Sequence, residues 1–361
     1  MPDGFEVGIV GAGLGGSVCA NVLGKAGISV ALFDNSYPRE KPCGGLIDQR
    51  VVKEFNIPKQ LLQNEVKSAI CERFGFRIKL SVEPSGFLVL RKDFDYFLLQ
   101  KALKNRSVAF FNERVEQITK ANGWLLRTNK NRCIRVKFLI GADGCPSLVR
   151  KKILSPIPSE FLITTVGYNF PCSSRYIEKA FEKNTLEAYY SSEYVRGGGF
   201  IWIFPKKNII NVGIGSAEAG KTLAHSLDTF IFSHVAGERL RHLNGEPYTH
   251  LIPTILREEF YRLPCSGQDW ALVGDAAAHV NPINGAGIYY AMKGGMLCGA
   301  ALLHGDLRLF DTYWREEYGD ELRFGARKFS RYYSNLGFFT WLRFILGNSP
   351  FQFLFLNGIE K

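Results

Sequence analysis

The sequence predicts an α/β fold with three parts: a mostly parallel sheet flanked by helices, an inserted antiparallel sheet and a helical C-terminal segment. A short apolar run from Phe5 to Val10 is followed by glycines and a helix-like stretch from Ser17 to Lys25. Two later apolar strands each end in an acid beside a glycine, at Asp143 and Asp275. From about residue 151 onward, apolar and polar residues alternate, as is typical of antiparallel strands with one covered face.

The composition is that of a folded protein with a sizeable core. The chain has 361 residues, 46% hydrophobic and 22% charged, which argues against disorder. Its formal net charge of +11 favours anionic partners such as phospholipid headgroups, phosphorylated cofactors or an acidic redox protein. Because there is no long basic run and no zinc-finger spacing, nucleic acid is not expected as a partner.

The cysteines and the chain start indicate a reducing, cytoplasmic location. No two of the eight cysteines lie within four residues of each other, which excludes paired CxxC metal or redox motifs. The four histidines between residues 225 and 250 are eight or nine residues apart, so we expect no metal site. The chain enters a strand without a basic leader, and no run of about 18 apolar residues predicts a membrane span.

The first motif is a glycine loop between a strand and a helix. Gly11, Gly13 and Gly16 form a G-x-G-x-x-G pattern, and a second apolar strand from Ile28 ends at Asp34, 18 residues beyond Gly16. With a strand before it, a helix after it and an acid at the second strand's end, the pattern predicts a Rossmann-like dinucleotide site. A pyrophosphate would lie at the helix N-terminus, and Asp34 would accept from a ribose hydroxyl.

The second motif covers residues 274–288. The short strand Trp270–Val273 leads into Gly274-Asp275 and a glycine-interrupted loop, before a helix predicted over Ile288–Leu303. Glycine lets a planar ligand approach the backbone closely, and the N–H groups that open a helix favour electron-rich atoms. Together with a dinucleotide site elsewhere in the chain, this pattern predicts binding of a flavin.

Other candidates leave two interpretations open. Cys43, in a turn-rich loop with Gly44 and Gly45, either stands beside a ligand or is an inert small residue. Arg91 either reaches a phosphate or is a surface charge. Asp143 either faces a ligand or only closes a turn.

Three aromatic residues share one face of a predicted strand, so they line either a core or an apolar pocket: Phe200, Trp202 and Phe204. At the C-terminus, residues 336–356 are aromatic and carry only Arg343 as a charge, so they either form a helical core element or touch a membrane surface. His279 has either a structural role or that of a proton source.

The order of the three motifs, G-x-G-x-x-G, then Gly-Ala-Asp-Gly, then Gly-Asp-Ala-Ala, resembles the FAD-binding fold of p-hydroxybenzoate hydroxylase and its relatives. Within that superfamily, Lys41-Pro-Cys-Gly-Gly45, the Phe200-x-Trp-x-Phe-Pro segment and the loop from Asn281 to Met292 are similar to the geranylgeranyl reductase family. That family saturates double bonds of prenyl chains with reduced FAD. Its aromatic motif usually begins with Tyr, where this chain has Phe200.

The resemblance implies which residues contact FAD. It places the glycine loop at the pyrophosphate, Asp34 at the adenosine ribose, Arg91 at the phosphates, and Cys43 to Gly45 across the ring from Pro282 to Gly287. The full expected set is Gly11, Gly13, Leu14, Gly15, Gly16, Asp34, Cys43, Gly44, Gly45, Arg91, Val115, Asp143, Gly274, Asp275, Pro282, Gly285, Ala286, Gly287 and Ile288.

The leading hypothesis is therefore hydride transfer from reduced FAD to an isoprenoid lipid, with Cys43 as the candidate catalytic residue and Phe200, Trp202 and Phe204 lining the substrate pocket. Electrons would come from NAD(P)H or a ferredoxin-like protein, and peripheral membrane contact is an added expectation. The main alternative is an FAD-dependent monooxygenase acting on an apolar or aromatic substrate. A flavin halogenase is disfavoured by the aromatic motif, and a flavin-bearing sensor without turnover is a non-enzymatic alternative.

The predicted domains are discontinuous. Residues 1–65, 91–150 and 265–305 are assigned to the FAD-binding domain, 66–90 and 151–264 to the substrate-binding domain, and 306–361 to the C-terminal helical segment.

Overall fold

A computed structural model describes residues 4–105, 107–191, 193–195, 198–216 and 222–333. They form two compact units. The first contains residues 4–40, 91–159 and 253–326, and the second contains 41–90, 160–252 and the described residues from 327 onward.

The strands, in chain order, are β1 Gly4–Val10, β2 Val30–Asp34, β3 Leu46–Ile47, β4 Leu62–Arg73, β5 Phe76–Val89, β6 Ser107–Phe111, β7 Val115–Lys120, β8 Trp124–Thr128, β9 Cys133–Gly141, β10 Leu162–Pro171, β11 Thr185–Tyr189, β12 Gly199–Pro205, β13 Ile209–Ser216, β14 Glu246–Pro253 and β15 Trp270–Leu272. The helices are α1 Leu14–Lys25, α2 Gln49–Glu54, α3 Arg91–Leu103, α4 Leu148–Ile153, α5 Ser174–Ala180, α6 Thr222–Ser233, α7 Ile288–Leu303, α8 Leu309–Trp314 and α9 Asp320–Tyr333. Short 3-10 turns cover Lys59–Leu61, Ser159–Phe161, Val235–Arg239, Glu258–Arg262 and Gly274–Ala277, and one π turn, Arg315–Gly319, joins α8 to α9.

The first unit is built on a seven-stranded sheet in the order β6-β2-β1-β9-β8-β7. Strands β6, β2, β1 and β9 run parallel, and β15 adds to the end of β9 in parallel. Strands β8 and β7 continue from the first half of β9 as antiparallel neighbours. All five residues of β2 are buried, as expected for a parallel strand covered on both faces.

The register of this sheet brings the ends of its parallel strands side by side. Val10 pairs with Phe33 on one side and with Gly141 on the other, and Gly141 pairs with Leu272. The loops that follow these strands therefore start from one edge of the sheet. Ligands of open α/β sheets bind at this edge, beyond the carboxyl ends of the strands.

The second unit is built on an eight-stranded sheet in the order β14-β10-β13-β12-β11-β4-β5-β3. One of its faces forms a core in which Ile201, Ile203 and Val212 cluster with Leu227 and Phe230 of α6. Side chains alternate along a strand, so Phe200, Trp202 and Phe204 lie on the opposite face.

The two units differ from the predicted domains at several boundaries. Residues 41–65 fall in the second unit, where β3 pairs with β5. Residues 151–159, 253–264 and 306–326 fall in the first unit. In that unit Lys293 of α7 forms an ion pair of 2.8 Å with Glu317 in the π turn.

Three elements differ from what their sequence patterns indicate. Residues 51–65 have a helix-like pattern, but the helix ends at Glu54 and β4 begins at Leu62. The alternation over residues 180–190 indicates a strand, which begins only at Thr185, after the short helix α5. Residues 219–242 also have a helix-like pattern, but α6 ends at Ser233 and a 3-10 turn follows. The aromatic segment 336–356 lies outside the described residues.

Within the described part of the chain, no helix has the length and apolar character needed to cross a membrane.

Candidate functional site

The glycine loop after β1 lies directly on the loop after β9. A Cβ on Gly11, whose φ is +102°, would lie 2.2 Å from the carbonyl oxygen of Ala142. A Cβ on Gly16 would lie 1.9 Å from the carbonyl oxygen of Gly11. A Cβ on Gly13, in contrast, would have no atom of the described residues within 4 Å, so the N-terminus of α1 is open where a ligand would approach.

The acid at the end of β2 is held by three donors. One oxygen of Asp34 accepts from the backbone N–H of Ala12 at 2.9 Å. The other accepts from the N–H of Ser36 at 3.0 Å and from the Arg39 guanidinium at 2.8 Å. Arg39 is not among the predicted site residues, although its position five residues after the acid in a turn-rich loop is a usable indication. A sugar hydroxyl that binds Asp34 would meet Arg39 as well.

The backbone of Asp34 is also hydrogen-bonded, to the segment that follows β6. The backbone N–H of Glu113 donates to the carbonyl oxygen of Asp34 at 3.1 Å. The Glu113 carboxylate is buried and accepts from the Thr128 hydroxyl at 2.6 Å and from Arg132 at 2.9 Å. Val115, two residues later, is buried at the start of β7.

Arg91 is buried, so the alternative of a surface charge is wrong. Its Nε and one Nη donate to the two oxygens of Asp95, one helical turn away, at 2.7 and 2.8 Å. Glu40 accepts from the backbone N–H groups of Arg91 and Lys92 at 3.0 and 2.7 Å, which stabilises the start of α3. A phosphate contact from Arg91 would be made by a guanidinium already oriented by Asp95.

Asp143 closes its own loop. Its oxygens accept from the Ser147 hydroxyl at 2.6 Å and from the N–H of Val149 at 3.1 Å. Burial raises the pKa of this carboxyl, and the hydrogen bonds from Ser147 and the backbone oppose the shift. The carboxylate thereby holds the first turn of α4 against the end of β9.

The segment after β15 is a tight turn followed by a surface loop. Gly274 and Ala278 both have left-handed backbone conformations, with φ of +63° and +62°. The next loop is closed by a hydrogen bond of 2.9 Å from the N–H of Asn281 to the carbonyl of Ala286. Gly285 and Ala286 are exposed, whereas Ile288 is buried in the first turn of α7.

Two residues of this loop have distinct surroundings. Pro282 is buried, and its Cδ lies 2.8 Å from where a Cβ on Gly325 of α9 would be. An Asp275 oxygen lies 3.5 Å from the corresponding position on Gly287, the residue that precedes α7. Gly287 has no side chain that could cap this helix start, and the first N–H groups of a helix favour an electron-rich ligand atom.

Helices α1 and α7 cross with their backbones in contact. A Cβ on Gly295 would lie 2.3 Å from the carbonyl oxygen of Gly15, and one on Gly15 would lie 3.0 Å from the carbonyl oxygen of Ala291. Gly15 belongs to the first turn of α1, so α1 begins at the crossing. Helix α7 begins at Ile288, which lies about 10 Å along the helix before Gly295 at a rise of 1.5 Å per residue. The arrangement suits an elongated ligand with a pyrophosphate at one helix and a ring at the other.

In the second unit, the Cys43–Gly45 loop lies against two of the three aromatic residues predicted to line a pocket, Phe204 and Trp202. A Cβ on Gly44 would lie 2.6 Å from the Phe204 ring and 3.7 Å from Nε1 of Trp202. The ring of Trp202 lies 5.9 Å from that of Phe200 and 6.4 Å from that of Phe204, centroid to centroid. The thiol of Cys43 accepts from the N–H of Gly45 at 3.3 Å, and Gly45 in turn is hydrogen-bonded to Val89.

His279 is buried among aromatic rings of the first unit. Its Nδ1 is hydrogen-bonded to the Tyr318 hydroxyl at 3.0 Å, and its ring centroid lies 4.3 Å from that of Trp314. Burial, and then the charges of Arg150 and Arg315, lower the pKa of His279 to about 3. The imidazole is therefore neutral at physiological pH, which favours the structural role over that of a proton source.

The fold is the α/β fold of FAD-binding proteins of the p-hydroxybenzoate hydroxylase type, as predicted. A family model described as an NAD(P)-binding Rossmann-like domain matches residues 9–58. A geranylgeranyl bacteriochlorophyll reductase-like protein of Thermoplasma acidophilum superposes with a TM-score of 0.76 and 22% identity, covering 96% of this chain and 97% of its own. A flavin-dependent brominase superposes with a TM-score of 0.73 and 17% identity, over 97% and 93%.

Proteins similar in sequence indicate a narrower class than the fold does. A digeranylgeranylglycerophospholipid reductase of Methanococcus vannielii is 26% identical over 88% of this chain and 84% of its own length. A geranylgeranyl diphosphate reductase of Rhodobacter capsulatus is also 26% identical, over 91% and 84%. The predicted resemblance to geranylgeranyl reductases is thus confirmed, as is the prediction of an oxidoreductase.

We predict that His279 makes stability depend on pH below neutrality. Its folded pKa is lower than the unfolded value of about 6.5, so its contribution is complete above that value and is lost as pH falls towards 3. In urea unfolding, His279→Gln should reduce the slope of unfolding free energy against pH by up to about 1.4 kcal/mol per pH unit between pH 6 and 4. His225, which is exposed, provides the control: His225→Gln should leave the slope unchanged. Equal slopes for His279→Gln and the unsubstituted protein would contradict the assignment.

Proposed function

We propose that the protein is an FAD-dependent reductase that saturates carbon–carbon double bonds of a prenyl lipid. The observation that carries the proposal is the contact between the Cys43–Gly45 loop and the aromatic residues Trp202 and Phe204. It provides an apolar surface with a thiol beside it, on the unit that does not carry the dinucleotide motif. The names of the relatives point to the same substrate class.

The residues of the first unit fit FAD. The open space at Gly13 suits a pyrophosphate at the start of α1, and the carboxylate of Asp34 suits an adenosine ribose. The exposed loop residues Gly285 and Ala286, followed by the N-terminus of α7, suit the edge of a flavin ring that carries negative charge when reduced. Asp275 would contact the ribitol or pyrophosphate.

When bound and reduced, FAD supplies the hydride for one alkene carbon. An isolated alkene develops little charge that a protein can stabilise, so positioning and exclusion of water carry most of the catalysis. Phe200, Trp202 and Phe204 would hold the prenyl chain by apolar contact. The N-terminus of α7 would favour the anionic form of the cofactor.

Cys43 is the proposed donor of the proton to the second alkene carbon. Its side chain is partly exposed and lies in the loop that touches Phe204 through Gly44. His279 does not compete for this role, because it is neutral and buried.

The electron donor is proposed to be NAD(P)H or an acidic ferredoxin-like protein. The net charge of +11 favours either of these anionic partners over a basic one. The same charge would favour peripheral contact of a cytoplasmic protein with an anionic membrane surface.

We predict that Gly13→Ala weakens FAD binding. A methyl group at this position meets no atom of the described residues within 4 Å, yet it would occupy space proposed for the pyrophosphate. We expect about a tenfold rise in the FAD dissociation constant, equal to roughly 1.4 kcal/mol, whereas the apoprotein loses only the small N-cap preference of glycine over alanine at the start of α1. Gly4→Ala, where a Cβ would be similarly free of contacts, is the matched control. Unaltered FAD affinity in Gly13→Ala would place the pyrophosphate elsewhere.

The reductase activity itself is tested with the FAD-loaded protein reduced without oxygen and mixed with geranylgeranyl lipids. Each turnover should raise the mass of the lipid by two hydrogens per reduced bond. In air, a monooxygenase would instead add oxygen and would show no anaerobic saturation. Flavin binding with neither product would point to a sensor.

We predict that Cys43→Ser lowers the anaerobic turnover number at least tenfold and changes KM little. A positioned acid typically contributes a factor of 10² to 10⁴, and a serine hydroxyl is a much weaker acid than a thiol. Cys133→Ser, at an exposed cysteine of β9, is the control. An unchanged rate and product pattern in Cys43→Ser would remove Cys43 from the mechanism.

A further inference from the structure

The sheet face that carries Trp202 becomes polar towards β10 and β14. In the register of β12 and β13, Trp202 pairs with Gly213 and Phe204 with Asn211. In the register of β13 and β10, Asn211 pairs with Asn169. Directly paired residues point to the same side of a sheet. One face of the second unit therefore runs from aromatic side chains on β12 to amides on β13 and β10.

A chain of hydrogen bonds connects the two ends of this face. Nε1 of Trp202 donates to Oδ1 of Asn211 at 2.8 Å, and Nδ2 of Asn211 donates to Oδ1 of Asn169 at 2.7 Å. Nδ2 of Asn211 also donates to the Tyr248 hydroxyl at 3.0 Å. Asn211 is fully buried, so these contacts satisfy its amide where water cannot.

The indole fixes the orientation of both amides. An indole N–H can only donate, so Asn211 must turn its oxygen to Trp202 and its nitrogen to Asn169. Asn169 must then turn its own oxygen to Asn211. Its NH₂ group consequently points away from the chain of hydrogen bonds, and among the described residues nothing accepts from it. Asn169 is partly exposed, so this donor is accessible.

The aromatic rings beside this amide lie against backbone. A Cβ on Gly213 would be 2.2 Å from Cζ2 of Trp202, and a Cβ on Gly167 would be 2.3 Å from Cζ of Tyr248. Gly167 and Gly213 are a directly paired couple. Because neither glycine has a side chain, the Trp202 ring packs on the backbone of β13 and the Tyr248 ring packs on the backbone of β10. Both rings therefore lie next to the Asn169–Asn211 pair.

By alternation, the described positions of this face on β10, β12, β13 and β14 contain no lysine or arginine. Lys206 follows β12, but it is fully buried, and its Nζ lies 3.1 Å from where a Cβ on Gly45 would be. A diphosphate placed beside Asn169 would lose water without gaining a counter-ion, which is costly.

We propose that Asn169 donates a hydrogen bond to an uncharged oxygen, of a hydroxyl, ether or ester group, at the polar end of the prenyl substrate. The prenyl chain then lies along β12, and its oxygen lies over β10. This inference rests on the proposed function for the identity of the chain, and it narrows the substrate to prenyl alcohols, ethers or esters. Because these strands supply no lysine or arginine to pair with it, a charged diphosphate at this position is disfavoured.

The test compares geranylgeraniol with geranylgeranyl diphosphate on the FAD-loaded full chain. Binding is followed by tryptophan fluorescence, and turnover by anaerobic saturation. We expect geranylgeraniol to bind at least tenfold more tightly than the diphosphate. Asn169→Asp keeps the acceptor for Asn211 and removes both donors, so it should raise the dissociation constant for geranylgeraniol about tenfold. Asn169→Ala should raise the dissociation constant for geranylgeraniol to a similar extent without adding charge. This variant therefore separates the loss of the hydrogen-bond donor from repulsion by the new carboxylate.

Asn208→Asp, in the exposed turn between β12 and β13, is the matched control and should bind both compounds like the unsubstituted protein. Tighter binding of the diphosphate, or equal effects of Asn169→Asp and Asn208→Asp, would overturn the inference. No binding of geranylgeraniol would also overturn it. Asn169-dependent binding without saturation in any variant would support the inference and reject the proposed reductase activity.

Discussion

The crossing of α1 and α7 is the constraint on which the first unit depends. Glycines 15 and 295 bring the two backbones into contact, and this contact sets the spacing between two helix N-termini. One of these follows the strand β1 and the other follows the loop after β15, so a single interhelical contact ties the first motif of the chain to its last. Helices separated by ordinary side chains would lie 8–10 Å apart, and glycine allows a closer approach.

The motif loops and their elements could be predicted because their determinants are local. The strand, glycine loop and helix around Gly11 follow one another within 25 residues, and α7 has the predicted bounds Ile288–Leu303. A glycine required by a close backbone contact and an acid at the end of a strand can both be recognised in a sequence. The parallel arrangement of β1, β2 and β9 then follows from the α/β order of elements.

The contacts that give the site its chemistry could not be predicted in the same way. Asn169, Asn211 and Trp202 become neighbours only through the register of three antiparallel strands, and no short motif encodes such a register. The neutrality of His279 depends on Tyr318 and Trp314, which come from the π turn and α8. Similarly, the first residues of β4 are compatible with either helix or strand, and their pairing with β5 decides the outcome.

The division of the chain into interrupted units has a consequence for biosynthesis. Strand β15 pairs with β9 across about 130 residues, and α7 meets α1 across more than 270. At 5–20 residues per second, a ribosome needs on the order of tens of seconds between making α1 and making α7. During that time the glycine loop is complete in sequence but lacks the helix that covers it. A nascent chain therefore exposes the unpaired edge of β9 and the apolar side of α1 until β15 and α7 have been made, which makes this the period of greatest dependence on chaperones.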